Sequence, residues 1–273
     1  MSFNSFKMLE DSFFGEEVIT IPLKTDATQN QQHPIKPMYF AYGSNLSYSQ
    51  MMLRCTCNPD KSAKPVAIAR LDGWRWLISE EGYANIIPPK ALRVGLQEAE
   101  GEKVHVTGKE DAVFGILYDM TPKDESLLDA YEGVDNDAPD ASPDGKVDRK
   151  IRPKEQGNGC YNKWYVPAVV TKWLDSSEES RRAAQSKEST NTQTVLVYLD
   201  ELHVLEGPPK NEYIARMDRA MRQSVPLGFP RDWARNAMGS FFSSEVFFSG
   251  TPTWAESSNE PPSGGGKKVL NSS

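Results

Sequence analysis

Met38-Tyr39-Phe40-Ala41-Tyr42-Gly43-Ser44-Asn45-Leu46 reads as a short apolar strand that runs into a glycine turn and then into a helix. Ser47 is placed to cap that helix, which continues through Met51, Met52 and Leu53. Glycine permits φ > 0, so the N–H groups of Tyr42–Asn45 can converge into a small concavity, and the helix adds the positive end of its dipole. The turn is therefore a candidate anion seat. It is too short for a Walker loop and lacks the lysine. It is not a nucleophile elbow, because the second glycine of G-x-S-x-G is missing. An ordinary strand-to-helix turn, with Ser44 or Asn45 bonding locally, accounts for the same residues.

Outward from this turn, strands and helices alternate. Val66–Arg70 and Trp74–Ser79 read as strands joined by an Asp72-Gly73 turn, and Tyr83–Ile87 as another stopped by Pro88-Pro89. Alternation makes Trp74 and Trp76 packed tryptophans around an exposed Arg75. Val113–Asp119, Trp164–Thr171 and Thr194–Leu199 complete the strands. Asn211 caps a helix with Ile214, Met217, Ala220 and Met221 on one stripe, and a last helix begins near Pro230. Several strands with few crossover helices predict an α+β domain.

The chain has 273 residues and a formal net charge of −7, with 38% hydrophobic residues. A general nucleic-acid binder needs a basic face to release counterions, so that class is excluded. No apolar run approaches the roughly 20 residues needed to span a bilayer, and the N-terminus lacks a secretory h-region. Three cysteines make no disulfide framework and suit a reducing compartment, so a cytoplasmic protein is expected. The hydrophobic deficit is local. Residues 1–37 read as a flexible extension, 38–249 as a single domain and 250–273 as a disordered tail. Within the domain, 135–160 and 175–193 are polar insertions; the second could form a solvated helix over 178–187, with nothing to specify a buried face.

Thr121 is a natural N-cap, Pro122 sits at the first helical position, and Asp124 and Glu125 complement the positive helix end. Leu127, Leu128 and Tyr131 are expected to form the buried stripe and Gly133 the stop, which leaves Glu132 at the negative end. A carboxylate there is disfavoured as an anion, the direction required of a group that accepts a proton and returns it. A surface glutamate without a task fits the position too. His33, His105 and His203 have no spaced partners, and Cys55-Thr56-Cys57 lacks a second pair, so no metal site is expected. Tyr213, in a first helical turn after Pro208-Pro209, is by default a packing aromatic.

Together these segments resemble the γ-glutamylcyclotransferase family. The resemblance rests on Tyr39–Leu46 (YFAYGSNL), Ala69-Arg70-Leu71, Val113–Tyr118 and Leu128–Val134 around Glu132, with Pro208–Tyr213 as a weaker match. It implies a small mixed β-barrel with flanking helices, no metal and no organic cofactor. It also implies that the α-amino group of a small γ-glutamyl substrate attacks its own γ-carbonyl, giving 5-oxoproline and a free amine. By motif, Glu132 becomes general base and acid. Tyr39, Phe40, Ala41, Tyr42, Gly43, Ser44 and Asn45, with Tyr213, become substrate-binding residues, the turn's backbone meeting the α-carboxylate and the oxyanion. The YGSN loop resembles the general branch acting on γ-glutamyl amino acids and peptides, rather than YGSL-type glutathione-specific or YGT-type γ-glutamylamine enzymes. The insertions point to alternatives: γ-glutamyl processing of bulkier glutathione conjugates in fungal sulfur-containing secondary metabolism, or a non-catalytic γ-glutamyl-binding module. Oligomeric state is left open.

Overall fold

The structure, a computed structural model, describes residues 36–100, 112–185 and 191–242. The expected tail at 250–273 and all but the last two residues of the expected extension at 1–37 lie outside the described residues, as do His33 and His105. The chain runs through β1 (Met38–Ala41), a 3-10 turn (Ser44–Leu46), α1 (Tyr48–Arg54), α2 (Pro59–Ser62), β2 (Pro65–Asp72), β3 (Arg75–Ile78) and β4 (Ala84–Ile87). It continues with α3 (Leu96–Glu100), β5 (Ala112–Tyr118), α4 (Pro122–Tyr131), β6 (Asn162–Trp173) and α5 (Ser176–Gln185). Strand β7 (Thr192–Leu199) and helices α6 (Asn211–Ser224) and α7 (Arg231–Met238) follow.

Five strands close into a barrel in the order β1-β5-β2-β6-β7, and β3 and β4 form a separate antiparallel pair. The closing pair, β7 against β1, is parallel, whereas the other barrel neighbours are antiparallel. The result is an α+β domain with a mixed barrel and flanking helices, as the alternation of segments predicts. Closure leaves no unpaired sheet edge in the barrel. The pleat is plain in β6. Asn162, Trp164, Val166, Ala168 and Val170 are buried, and the residues between them are more open. Trp164 meets Trp74 edge to face at 6.4 Å. Trp74 and Trp76 are buried as alternation requires, but Arg75 is half-buried rather than exposed.

Helix α4 begins as its sequence dictates, with the Asp124 N–H donating to Thr121 Oγ1 at 3.2 Å. Asp124 does more than complement the helix dipole. It is fully buried and accepts from the Cys57 and Asn58 amides and from the Ser62 and Thr121 hydroxyls, tying α4 to the α1–α2 connection. Burial opposes its charge, but these hydrogen bonds prevail and hold its carboxyl below the usual range.

Residues 135–160 leave the end of α4 and return to it. The Cys160 N–H donates to Gly133 O at 2.8 Å. In between, Arg152 reaches Glu201 through Nε at 2.8 Å and Nη2 at 2.6 Å, and Glu201 also accepts from Trp164 Nε1 and Asn162 Nδ2. A buried ion pair with its lone pairs met in this way fastens the excursion to the barrel. In the second polar stretch α5 does have a buried face, made by Arg182, which is 1% exposed and pairs with Glu178.

Candidate functional site

The end of β1, the first turn of α6, the C-terminal end of α4 and the loop after β7 meet around a cavity of about 380 Å³. That volume falls in the range of small-molecule sites. Tyr39, Tyr42, Gly43, Ser44, Asn45, Glu132 and Tyr213 all line it. Of the residues the sequence nominates, Phe40 and Ala41 do not. Both are fully buried in the barrel wall: the pleat turns Phe40 away from Tyr39 and onto Gly115, and Ala41 is covered where it pairs with Ile116.

Glycine is needed at 43 for a different reason from the one the sequence suggests. Its φ is −118°, outside the left-handed region. A side chain would collide instead: a Cβ at this position would lie 2.7 Å from Tyr213 Oη and 3.1 Å from Ala84 Cβ. The close approach lets the Ser44 N–H donate to Tyr213 Oη at 3.2 Å. The turn's amides therefore do not all face a ligand, because that of Ser44 is taken by Tyr213. Tyr213 is both a packing aromatic, edge-on to Tyr83 at 5.3 Å, and part of the cavity wall. Burial pushes its phenol up to about 12 against the nearby Arg216 charge.

Glu132 follows the last helical residue of α4. It is held there by a Schellman stop in which Val134 N–H reaches Asp129 O and Gly133 N–H reaches Ala130 O, with Gly133 at φ +64°. Its Oε1 accepts from Asn45 Nδ2 at 2.9 Å and from Arg54 Nη1 at 2.6 Å. Its Oε2 has no hydrogen-bond partner among the described residues. The helix terminus is thus only part of this carboxylate's surroundings, because a guanidinium from the last turn of α1 stands against it.

The glycine turn and the acid are linked through side chains rather than through the turn's backbone. Asn45 Nδ2 also donates to Tyr39 Oη at 2.9 Å, and Asn45 Oδ1 accepts from Gln50 Nε2 at 2.7 Å. Gln50 Nε2 donates to Ser44 Oγ at 2.7 Å as well, and Gln50 Oε1 accepts from Arg216 Nε at 3.2 Å. With its oxygen held by Gln50, the Asn45 amide must present its nitrogen to Glu132. Burial, with the Glu132 charge adding to it, pushes the Tyr39 phenol well above its ordinary value; burial does the same to Tyr42 and Tyr161. These phenols stay neutral at physiological pH. The Tyr42 hydroxyl is spent on Tyr198 O at 2.6 Å.

Arg54, Gln50 and Arg216 were not singled out by the sequence. Arg216 carried a signal, since it lies three residues after Tyr213 and so shares a helix face with it. Arg54 and Gln50 carried none. Asp200 and His203 also line the cavity, joined through Oδ2 and Nδ1 at 2.7 Å. Burial opposes the imidazolium, but Asp200, with Glu81 and Glu80, raises the His203 pKa. Among the described residues no group of three or more His, Cys, Asp or Glu is placed to hold a metal ion, and no helix is long and apolar enough to cross a membrane.

No protein-family model matches the chain, and no curated protein matches it. Among solved structures it is similar to YkqA from Bacillus subtilis, with a TM-score of 0.45 and 15% identity over 76% of this chain and 55% of that one. It is also similar to a yeast γ-glutamylcyclotransferase specific to glutathione, with a TM-score of 0.34 and 13% identity over 68% of this chain and 76% of that one. The chain thus spans little more than half the length of YkqA.

Proposed function

We propose that the chain is a γ-glutamylcyclotransferase acting on γ-glutamyl amino acids or peptides, with Glu132 as the proton carrier. One observation carries this: the Glu132 carboxylate, which lines the same cavity as the glycine turn, is anchored through Oε1 by Asn45 and Arg54 and has no hydrogen-bond partner on Oε2 among the described residues. Cyclisation needs one group that both takes and returns a proton. The substrate's α-amino nitrogen bonds to the γ-carbonyl carbon and gives a proton to Glu132 Oε2. The bond from that carbon to the leaving nitrogen then breaks, and the same proton goes to the departing amine. Arg54 and Asn45 keep the acid in place through both transfers. The Gly43 and Asn45 amides are the donors for the oxyanion that forms between them. Holding the glutamyl chain curled, amine against carbonyl, supplies the orientation that a flexible substrate lacks in water.

Among the described residues, the 135–160 stretch contributes only Cys160 to the cavity and the 175–193 stretch contributes nothing. Inserted segments therefore do not wall the site, which favours a small leaving amine over a bulky conjugate. The test is to incubate the purified protein with a panel of γ-glutamyl peptides and measure 5-oxoproline. Release from at least one is expected; no product from any removes the proposal.

A further inference from the structure

Arg216 is a cation of the cavity that is held by neutral groups rather than by an ion pair among the described residues. Arg54 is neutralised by Glu132 at 2.6 Å, and Asp200 is met by His203 at 2.7 Å. Arg216 lines the same cavity but forms no ion pair among the described residues. Glu212, one turn earlier on α6, accepts from Tyr83 Oη and feels the Arg216 charge only through space, without a direct ion pair. The guanidinium is nonetheless held firmly: Nη2 donates to Ser44 Oγ at 2.8 Å, Nε donates to Gln50 Oε1 at 3.2 Å, and its carbon lies 5.2 Å from the centre of the Tyr213 ring. Neutral oxygens and a ring face orient an arginine without discharging it, and Nη1 has no acceptor among the described residues. A fixed cation with spare donors in a protein of net charge −7 is a receptor for an anionic ligand group.

The position of that receptor selects the group. Ser44 Oγ and Asn45 Oδ1 share Gln50 Nε2, and Asn45 in turn touches Glu132. Arg216 is therefore joined to the acid through one short side-chain chain. In a γ-glutamyl substrate the amine that must reach Glu132 sits on the same carbon as the α-carboxylate. A carboxylate on the leaving group lies beyond the γ-carbonyl. We infer that Arg216 anchors the substrate's α-carboxylate and restricts the site to γ-glutamyl compounds in which that carboxylate is free. The assignment rests on the cyclotransferase proposal above and adds the specificity of the same site.

The test compares 5-oxoproline (or its α-amide) formation from γ-glutamylalanine, from its glutamyl α-carboxamide and from its C-terminal carboxamide. Wild type should lose about 10–100-fold in kcat/KM on the α-carboxamide and little on the C-terminal carboxamide. Arg216→Gln should fall by a similar factor on the free acid, mainly through KM, and should no longer distinguish it from the α-carboxamide. Arg216→Lys, which keeps the charge without the fork, should restore part of that discrimination. A merely structural role would lower all three substrates together. That result, or discrimination that survives Arg216→Gln, overturns the assignment. If Arg216→Gln abolishes discrimination against the C-terminal carboxamide instead, the anchored anion belongs to the leaving group and the assignment is wrong. Should wild type convert none of the three, nor any other γ-glutamyl peptide, the cyclisation proposal falls and takes this one with it.

Discussion

Replacing Gly43 by alanine probes the contact on which the geometry of the turn depends. The new methyl would sit 2.7 Å from Tyr213 Oη and 3.1 Å from Ala84 Cβ. Its φ of −118° lies outside the left-handed region that favours glycine, so the contact is the feature tested. The phenol cannot easily step aside: it is buried, its oxygen takes the Ser44 N–H and its ring packs on Tyr83. Overpacking of this kind costs about 1–3 kcal/mol. In a domain of this size, 2 kcal/mol lowers Tm by about 4–8 °C. Tyr213→Phe removes the offending oxygen, but it also strips the buried Ser44 N–H of its acceptor, at about 1–3 kcal/mol. In the double variant the methyl occupies space that the oxygen vacated. The Gly43→Ala/Tyr213→Phe protein should therefore be more stable than the sum of the single losses by about 1 kcal/mol or more. Urea unfolding of all four proteins, followed by tryptophan fluorescence, measures the cycle. Losses that add to within about 0.5 kcal/mol would refute the claim that glycine is required here by the approach of Tyr213.

Two further expectations concern parts of the fold next to the site. Asp124→Asn should cost about 2–3 kcal/mol at neutral pH, because an amide nitrogen would face donors that now point at a carboxylate. The Asp124 carboxyl is held low in the folded state, so its stabilisation is present above the unfolded value of about 3.9 and is lost as pH falls through the folded one. The stability gap between wild type and Asp124→Asn should accordingly narrow below about pH 4, and a gap independent of pH would contradict this. In native protein at pH 8, iodoacetamide should label the exposed Cys57 and Cys160 but spare Cys55, whose thiol burial pushes up to about 12 with Asp124 adding to it. Intact mass should show two adducts before unfolding and three after; labelling of Cys55 in the native state would count against its burial.

The barrel was legible because its strands carry period-2 or continuous apolar patterns, as in Trp164–Thr171 and Thr194–Leu199, which fall inside β6 and β7. The loop and acid were legible from local motifs. What surrounds them was not. Gly43 looked like a residue chosen for its backbone freedom, whereas its neighbour in space is Tyr213, 170 positions along the chain. The helix end near Glu132 could be inferred from Thr121, Pro122 and Gly133, but its counter-charge comes from Arg54 on another helix, 78 residues away. Gln50 and Arg216 occupy ordinary polar helix positions, and only the packing of α1 against the turn and α6 makes one the hinge of a hydrogen-bond chain and the other a cation held by neutral oxygens. The buried Arg152–Glu201 pair escaped notice for the same reason. Composition marked 135–160 as a polar insertion, yet a salt bridge to a residue 49 positions on ties it to the barrel.

Single-turnover formation of 5-oxoproline by wild type and by Glu132→Gln, alongside substrate binding to each, tests the central claim most directly. The near-isosteric amide can still accept from Asn45 and Arg54 but cannot take the amine's proton. The rate should fall by about 10²-fold or more while binding changes only a few-fold and the melting temperature is kept. A Glu132→Gln protein that forms product within about tenfold of the wild-type rate would show that the proton travels by another group.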